Sequence, residues 1–257
     1  MLIENKFLRL LFTVLIIFIL TFILLPILTI GMMSFNGSRS LSFPIPELTL
    51  QWYQNYFNSD IWLSATMYSF QIGFFTACLT TVLGTLAAYA LVRGKFKGKH
   101  ITYILLVTPL IVPPMVLAIA LYFFFVELGM IGSIIPIVVG HSIMTLPLFL
   151  VTVSSSLQGI NENLERASLS LGASRVGTFF RITFPLILPG IISGALFSFL
   201  LSFDELLIPM FLGGVNITTL PTQIWGSLTY QVDPTVSAVS SLIIIVMVVL
   251  ILTGQYF

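Results

Sequence analysis

Charge is so sparse along this chain that seven stretches run for 22 residues or more without an Asp, Glu, Lys or Arg: 10–38, 61–92, 101–126, 128–161, 182–203, 206–232 and 234–257. A helix needs roughly 20 apolar residues to cross about 30 Å of hydrocarbon, so runs of this length predict membrane spans unless their own composition argues against it. One of them does. The 206–232 run holds Gly213, Gly214, Asn216, Thr218, Thr219, Pro221, Thr222 and Gln223, and most of it reads as a polar, turn-rich surface loop. The other six predict spans at about 8–33, 62–92, 101–126, 134–153, 185–212 and 235–253. Backbone groups in lipid must be satisfied within their own segment, which makes these spans helices rather than open strands. With 58% of its 257 residues apolar and 7% charged, the chain carries more hydrocarbon surface than a water-soluble globule can bury. The expected fold is an all-α integral membrane protein of six transmembrane helices, forming a single transmembrane domain over 1–257.

Basic side chains near span ends are retained on the cytoplasmic side. An N-terminus placed inside puts Lys6, Arg9, Arg93, Lys95, Lys97, Lys99, Arg166, Arg175 and Arg181 in the cytoplasm and leaves only Arg39 outside. Both termini are then cytoplasmic, and the largest inward loop is the one at about 154–183. The first apolar run is too long for the core of a signal peptide and lacks a small-x-small cleavage site, so it is expected to stay as an anchor, with the mature chain starting near Met1. A net charge of +1 gives no footing for a nucleic-acid partner, and the lone Cys78 can build neither a disulfide framework nor a thiolate metal site. Trp52, Tyr53, Tyr56 and Trp62 suit an interfacial aromatic belt. Pro26, Pro109, Pro113, Pro114, Pro147, Pro185, Pro189 and Pro209 interrupt the spans. Two readings stay open for them: ordinary kinks, or, at Pro113-Pro114 and Pro209, broken helices around a midplane cavity.

The inward loop is patterned. Leu164, Ala167 and Leu171 fall at i, i+3, i+7, and Val176, Phe179 and Phe180 at i, i+3, i+4, so two short amphipathic helices meet at Gly172, which supplies the turn. A hairpin whose apolar face has no cover of its own needs either the membrane surface or a partner protein. The run Leu164-Glu-Arg-Ala-Ser-Leu-Ser-Leu-Gly-Ala, followed by Ile182-Thr-Phe-Pro185, is similar to the EAA loop of ABC importer permeases: Glu-Ala-Ala, three residues, Gly, nine residues, Ile-x-Leu-Pro. The spacing from Gly172 through Ile182 to Pro185 agrees throughout. Three positions depart from it: Arg166 stands at the usual Glu position with Glu165 just before it, Ser168 replaces the second Ala, and Phe184 replaces Leu.

The resemblance covers nearly the whole chain from Thr49 onward, and it implies the type I ABC importer permease fold in a bacterial inner membrane. In that family the loop docks into a groove on a cytoplasmic ATPase, which implies a coupling role for Glu165, Arg166, Ala167, Ser168, Gly172, Ile182 and Pro185. It further implies a second homologous permease, two copies of the ATP-binding subunit, and an extracellular or periplasmic solute-binding protein. ATP and Mg are expected on the partner ATPase, with no cofactor in this chain. Arg93-Gly-Lys-Phe-Lys-Gly-Lys, Ser202-Phe-Asp-Glu205, Leu220-Pro and Asp233-Pro look closest to the spermidine/putrescine permease branch, whose relatives also carry opines, aminoethylphosphonate and gamma-aminobutyrate.

Asp204 and Glu205 interrupt an apolar run, and with the fifth span starting near Leu188, Asp204 lies about 24 Å along it. Two readings stand. These carboxylates form a hydrated helix end or pair with another subunit's base, or they line a cavity and attract an ammonium-bearing solute. In the resembled maltose-type permeases the corresponding segment lines the substrate cavity. Tyr122, Gln71 and Tyr68 are secondary pathway candidates beside an interhelical hydrogen-bonding role, and His141 reads as an intrabundle residue rather than a proton relay. An enzyme would need a cluster of His, Asp or Glu or an activated nucleophile, which the spans lack beyond Asp204 and Glu205. No phosphate-binding Gly-x-x-x-x-Gly-Lys-Ser/Thr loop occurs either, so ATP hydrolysis is expected on another polypeptide. A self-contained secondary transporter would show internal repeats and paired intramembrane ion ligands, and neither is found.

Overall fold

A computed structural model describes residues 6–38, 45, 47–230 and 233–254. They are almost wholly helical, with a single isolated pairing of Asn36 with Leu48 and no strand among them. The helices are α1 (Lys6–Met33), α2 (Gln51–Phe57), α3 (Asp60–Arg93), α4 (Lys99–Val107), α5 (Pro114–Glu127), α6 (Ile134–Gln158), α7 (Glu162–Ser170), α8 (Arg175–Thr178), α9 (Phe184–Asp204), α10 (Leu207–Leu212), α11 (Leu220–Tyr230) and α12 (Thr235–Gly254). Four helical segments among the described residues are long and apolar enough to cross a membrane: Leu8–Met33, Asp60–Arg93, Ile134–Gln158 and Arg175–Asp204. A fifth crossing results if Lys99–Leu110 and Pro114–Glu127, bent by 101° against each other, form one span, and Thr235–Val249 is a shorter apolar helix.

The bend has a local cause. Pro113 and Pro114 follow each other where the helical ladder would run on, and neither has an N–H to give it. Pro114 instead starts α5, where the missing donor costs nothing. Of the two readings of these prolines, a break therefore holds at Pro113-Pro114. Pro26 and Pro147 lie inside continuous helices.

The chain divides into two compact units, Met1–Asp60 with Gly226–Val248 and Ile61–Trp225 with Val249–Phe257. In the first, none of the apolar window of α1 is buried, as suits a helix solvated by lipid. Its C-terminal end is tied down by polar contacts: Trp52 Nε1 donates to the Asn36 carbonyl at 2.6 Å, and the Ser34 and Tyr53 hydroxyls lie 2.7 Å apart. Asn55 Nδ2 donates to Thr235 Oγ1 at 3.0 Å, joining α2 to the start of α12. Trp52 and Tyr56 are thus buried packing residues, and Trp62 is buried as well, in place of the expected aromatic belt. The Trp52 indole N–H finds its partner in the Asn36 carbonyl rather than in headgroup water.

The second unit is built on α3, α6 and α9. Phe149 of α6 is fully buried between two glycines: a Cβ on Gly194 of α9 would meet its ring at 2.8 Å, and one on Gly84 of α3 would overlap it. Small residues let helix backbones approach where lipid supplies no hydrophobic drive. One apolar cluster gathers Ala88, Leu91, Phe149, Leu150, Val153, Leu157, Ile187 and Ile191; a second gathers Ile72, Ala118, Leu121, Phe125, Ile137, Val138, Ile208, Leu212 and Ile217. The expected surface loop after the fifth span differs, since Leu220–Tyr230 is helical. Leu220 N–H donates to Ser69 Oγ of α3 at 2.8 Å, so a neighbouring helix caps its start, and Pro221 occupies an early position that needs no donor.

Gly194→Val forces a branched side chain into the Phe149 ring and is expected to lower stability by about 1–3 kcal/mol. The melting midpoint of the detergent-solubilised chain should fall, while Gly31→Ala, with nothing within 4 Å of its Cβ, leaves it unchanged. An unaltered midpoint for Gly194→Val refutes the packing.

Candidate functional site

The loop between α6 and α9 forms the expected helical hairpin, α7 and α8. Asn161 caps α7 by accepting from Asn163 N–H, and Ser174 caps α8 by accepting from Gly177 N–H, each at 3.0 Å. The turn is a Schellman motif: Gly172 N–H donates to the Leu169 carbonyl at 3.0 Å and Ala173 N–H to the Ser168 carbonyl at 3.1 Å. Gly172 sits at φ +90°, a conformation that β-branched residues avoid. The hydroxyls of Ser168 and Thr178, 3.0 Å apart, tie α7 to α8. Leu171, Val176 and Phe180 are exposed, with Leu171 at 89%. The hairpin therefore presents apolar side chains with no cover from its own chain.

Its base is clamped. Arg93, the last residue of α3, donates from Nε to both carboxylate oxygens of Glu165 at 3.1 and 3.2 Å and from a terminal nitrogen to the Ile160 carbonyl at 3.3 Å. Thr183 Oγ1 donates to Glu165 Oε1 at 2.9 Å. The Arg93 and Glu165 side chains are only 10% and 12% exposed, so the attraction between them is little screened. Glu162 adds a longer contact to Arg93 at 3.5 Å and pairs with Arg166 at 3.1 Å, but it is half exposed and Arg166 more so, which makes that outer pair weak. Of the loop residues singled out by sequence, Glu165 therefore turns inward to hold the loop, whereas Arg166 and Ala167 face out. Ile182 is half-buried and Pro185 lies in the first turn of α9. Arg93 was legible only as part of a basic cluster; its pairing with Glu165, 72 residues on, has no local signal.

Asp204 ends α9 and is exposed. Glu205 is extended, and its Oε1 accepts from the N–H groups of Leu207 and Ile208 at 2.8 and 3.2 Å, capping α10. The span containing both residues is thus broken just after Asp204, and the cap satisfies the backbone that the break frees. Tyr68 and Tyr122 pack against the cluster that contains Ile208, and Gln71 is half-buried. Two residues before Asp204, Ser202 enters a buried polar seam. His141 Nδ1 and Ser202 Oγ are 2.6 Å apart, Ser202 donates to Thr76 Oγ1 at 3.3 Å, and the Thr80 and Thr145 hydroxyls lie 3.1 Å apart. His141 is an intrabundle residue, but only one of its ring nitrogens has a partner among the described residues. The seam had a sequence signal that was passed over: Thr76/Thr80, His141/Thr145 and Ser198/Ser202 are polar pairs at i, i+4 on three spans. Among the described residues no group of three or more His, Cys, Asp or Glu could hold a metal ion.

Residues 80–256 match the family described as binding-protein-dependent transport system inner membrane component, and the chain belongs to that family. It is an inner-membrane permease component and not an enzyme. It is 32% identical to the spermidine/putrescine transport system permease protein PotC of Haemophilus influenzae, over 91% of each chain. It is 34% identical to the putrescine transport system permease protein PotI of Escherichia coli strain K12, over 87% of this chain and 82% of the relative. Among solved structures it resembles a bacterial ABC transporter involved in the import of the acidic polysaccharide alginate, at a TM-score of 0.79 and 16% identity over 99% of this chain and 98% of the other. The fold is that of ABC importer permeases.

Glu165→Ala leaves the buried Arg93 guanidinium with only the longer contact to half-exposed Glu162, a loss of up to about 3–5 kcal/mol for a buried pair. Hydrogen exchange of amides in 161–183 should rise by at least tenfold in Glu165→Ala while that of α6 amides holds. Equal exchange in parent and variant would show that the pair does not hold the hairpin.

Proposed function

We propose that this chain is the membrane-spanning permease subunit of an ATP-driven importer that passes a polyamine such as spermidine or putrescine from an extracellular binding protein into the cytoplasm. The observation that carries the importer reading is the hairpin 162–180, clamped at its base by Arg93 and Glu165 and offering Leu171, Val176 and Phe180 to a partner. The solute rests on the names of the relatives and on the exposed Asp204 at the helix break.

In this reading the whole chain acts as one permease domain with six spans and both termini cytoplasmic, supported by nine of ten basic residues falling on one side. It pairs with a second homologous permease. Two ATP-binding subunits dock on the hairpins, and ATP and Mg are bound there, with no cofactor in this chain. Glu165 positions the hairpin from within, Gly172 sets its angle, and Arg166, Ala167 and Ser168 belong to the docking helix, with Ile182 and Pro185 at its return. Asp204 attracts the ammonium groups of the solute near Tyr68, Gln71 and Tyr122, while Glu205 keeps the break in shape.

Uptake of labelled putrescine and spermidine, in cells stripped of their own polyamine importers and given the cognate binding protein and ATPase, tests this directly. Uptake should require the chain, and preference for a neutral or anionic solute overturns the polyamine assignment. Gly172→Val should reach normal membrane abundance yet lose stimulation of ATPase activity by the loaded binding protein, whereas Gly172→Asn, which tolerates positive φ, keeps it. Unchanged stimulation in Gly172→Val would sink the docking role.

Asp204→Asn removes a charge-assisted contact of about 1.5–3 kcal/mol and should raise the transport constant by about one to two decades. Glu205→Gln retains a carbonyl oxygen for the Leu207 and Ile208 N–H groups and should transport close to the parent. The reverse ranking would exchange the roles assigned to the two residues.

A further inference from the structure

The ends of α3 and α6 and the start of α4 enclose a cavity of about 620 Å³ beside the clamp. Its chemistry is lopsided. Arg93 on its wall is answered by Glu165 and Glu162, but Lys99, also on the wall, meets only the uncharged carbonyls of Val92 and Gly94, at 3.4 and 3.3 Å. His100 lines the cavity and makes no hydrogen bond or ion pair among the described residues. Ser154 is 8% exposed, lines the same space, and its hydroxyl likewise has no partner among the described residues. The helix that carries Lys99 and His100 adds to the imbalance. Gly98 precedes α4 as its N-cap residue and offers no side-chain cap, and the first turn of α4 holds no acidic residue. Basic residues thus crowd the positive end of a helix dipole, where an anion would be favoured and cations are not. Exposed Lys95 and Lys97 add positive charge just ahead of it. Leu91, Val92, Tyr103 and Ile160 add apolar or amphipathic lining, and Gln158 and the Glu162 carboxylate, which pairs with Arg93 and Arg166, complete it.

We infer that this cavity binds the phosphate headgroup of an anionic phospholipid from the cytoplasmic leaflet. Lys99, His100, the Ser154 hydroxyl and the open N–H groups of the first turn of α4 would receive the phosphate, and the apolar wall would receive the lipid's glycerol and first methylenes. A free phosphate satisfies the same donors but leaves that apolar wall unused, which favours the lipid. Basic pockets between helices at the inner membrane face suit such headgroups. The inference rests on the importer reading only for which face of the membrane the cavity lies on. Because Arg93 and Glu162 are shared with the clamp, the headgroup would sit against the base of the hairpin.

The test uses the full chain, purified in mild detergent with the subunits that accompany it, and counts the phospholipid retained after exposure to phosphatidylglycerol or phosphatidylcholine. The parent should retain phosphatidylglycerol about tenfold over phosphatidylcholine. The double variant Lys99→Ala, His100→Ala should retain less, by about fivefold or more, the effect of losing the Lys99 charge together with the His100 ring N–H. Lys6→Ala, in the other unit, serves as the control and should match the parent. Equal retention of the two lipids, or undiminished retention by the double variant, overturns the proposal. Inorganic phosphate that displaces the lipid completely at matched concentration identifies a free-anion site and overturns the lipid assignment. A double variant that keeps its lipid but sheds its ATPase marks the cavity as a protein contact, which also overturns it. None of these counts requires solute uptake, so a failure here is distinct from a failure of the importer reading.

Discussion

A guanidinium and a carboxylate taken out of water repay their desolvation only when geometry and further hydrogen bonds are complete. Arg93 and Glu165 meet that condition: the carboxylate receives Arg93 Nε on both oxygens and Thr183 on one, and the guanidinium also reaches the Ile160 carbonyl. The contacts come from the end of α3, from the hairpin itself and from the turn leading into α9. Three segments far apart in sequence are thereby fixed to one point. The hairpin caps and the Ser168 to Thr178 bridge shape the two short helices, but they are local and cannot decide where the hairpin sits. A helix of nine residues such as α7 is too short to be stable alone in water, whereas α8 runs on through Phe179–Thr183 into α9, so the clamp and the turn at Gly172 hold α7 against a continuous helix.

The membrane-embedded part obeys a different rule. Lipid gives helices no hydrophobic reason to associate, so their contacts rely on close packing and on polar groups that find each other. Phe149 between Gly84 and Gly194 supplies the first, and the seam through Thr76, His141 and Ser202 supplies the second. Both involve α3, α6 and α9, the same helices whose ends meet at the clamp or lead to it. The hairpin is therefore joined at the clamp to helices that pack closely with one another.

Much of this was legible because the constraints are long-range in period but local in sequence. Uncharged runs mark α1, α3, α6 and α9 by length alone, and the Gly172 spacing marks the hairpin and its turn. The 101° bend was open between kink and break, since proline identity says that the ladder is interrupted but not by how much. The helix at Leu220–Tyr230 was hidden because its start is capped by Ser69, a residue of another span that no neighbouring sequence reveals. The inward turn of Glu165 was hidden for the same reason. Its motif placed it on the docking helix, but only the position of Arg93 decides which face of that helix it takes. Glu205 could have been read as a cap: an acidic residue two and three positions before the N–H groups it accepts from, with Pro209 close behind, is a helix start.

The two broken spans are not independent. The segment that follows Pro113, α5, contributes Ala118, Leu121 and Phe125 to one apolar cluster, and the segment that follows Glu205, α10, contributes Ile208 and Leu212 to the same cluster. Gly140 of α6 keeps them close, since a Cβ there would meet Leu121 at 2.8 Å and Ile208 at 3.0 Å. Each break uncouples its trailing segment from the long helix before it, and shared packing then couples the two trailing segments to each other. Irregular backbone at membrane depth is tolerated only inside protein or beside a water-filled space. Here proline removes the donors at one break and the Glu205 carboxylate satisfies them at the other, so the interrupted helices keep their backbone groups answered while α5 and α10 pack together against α6.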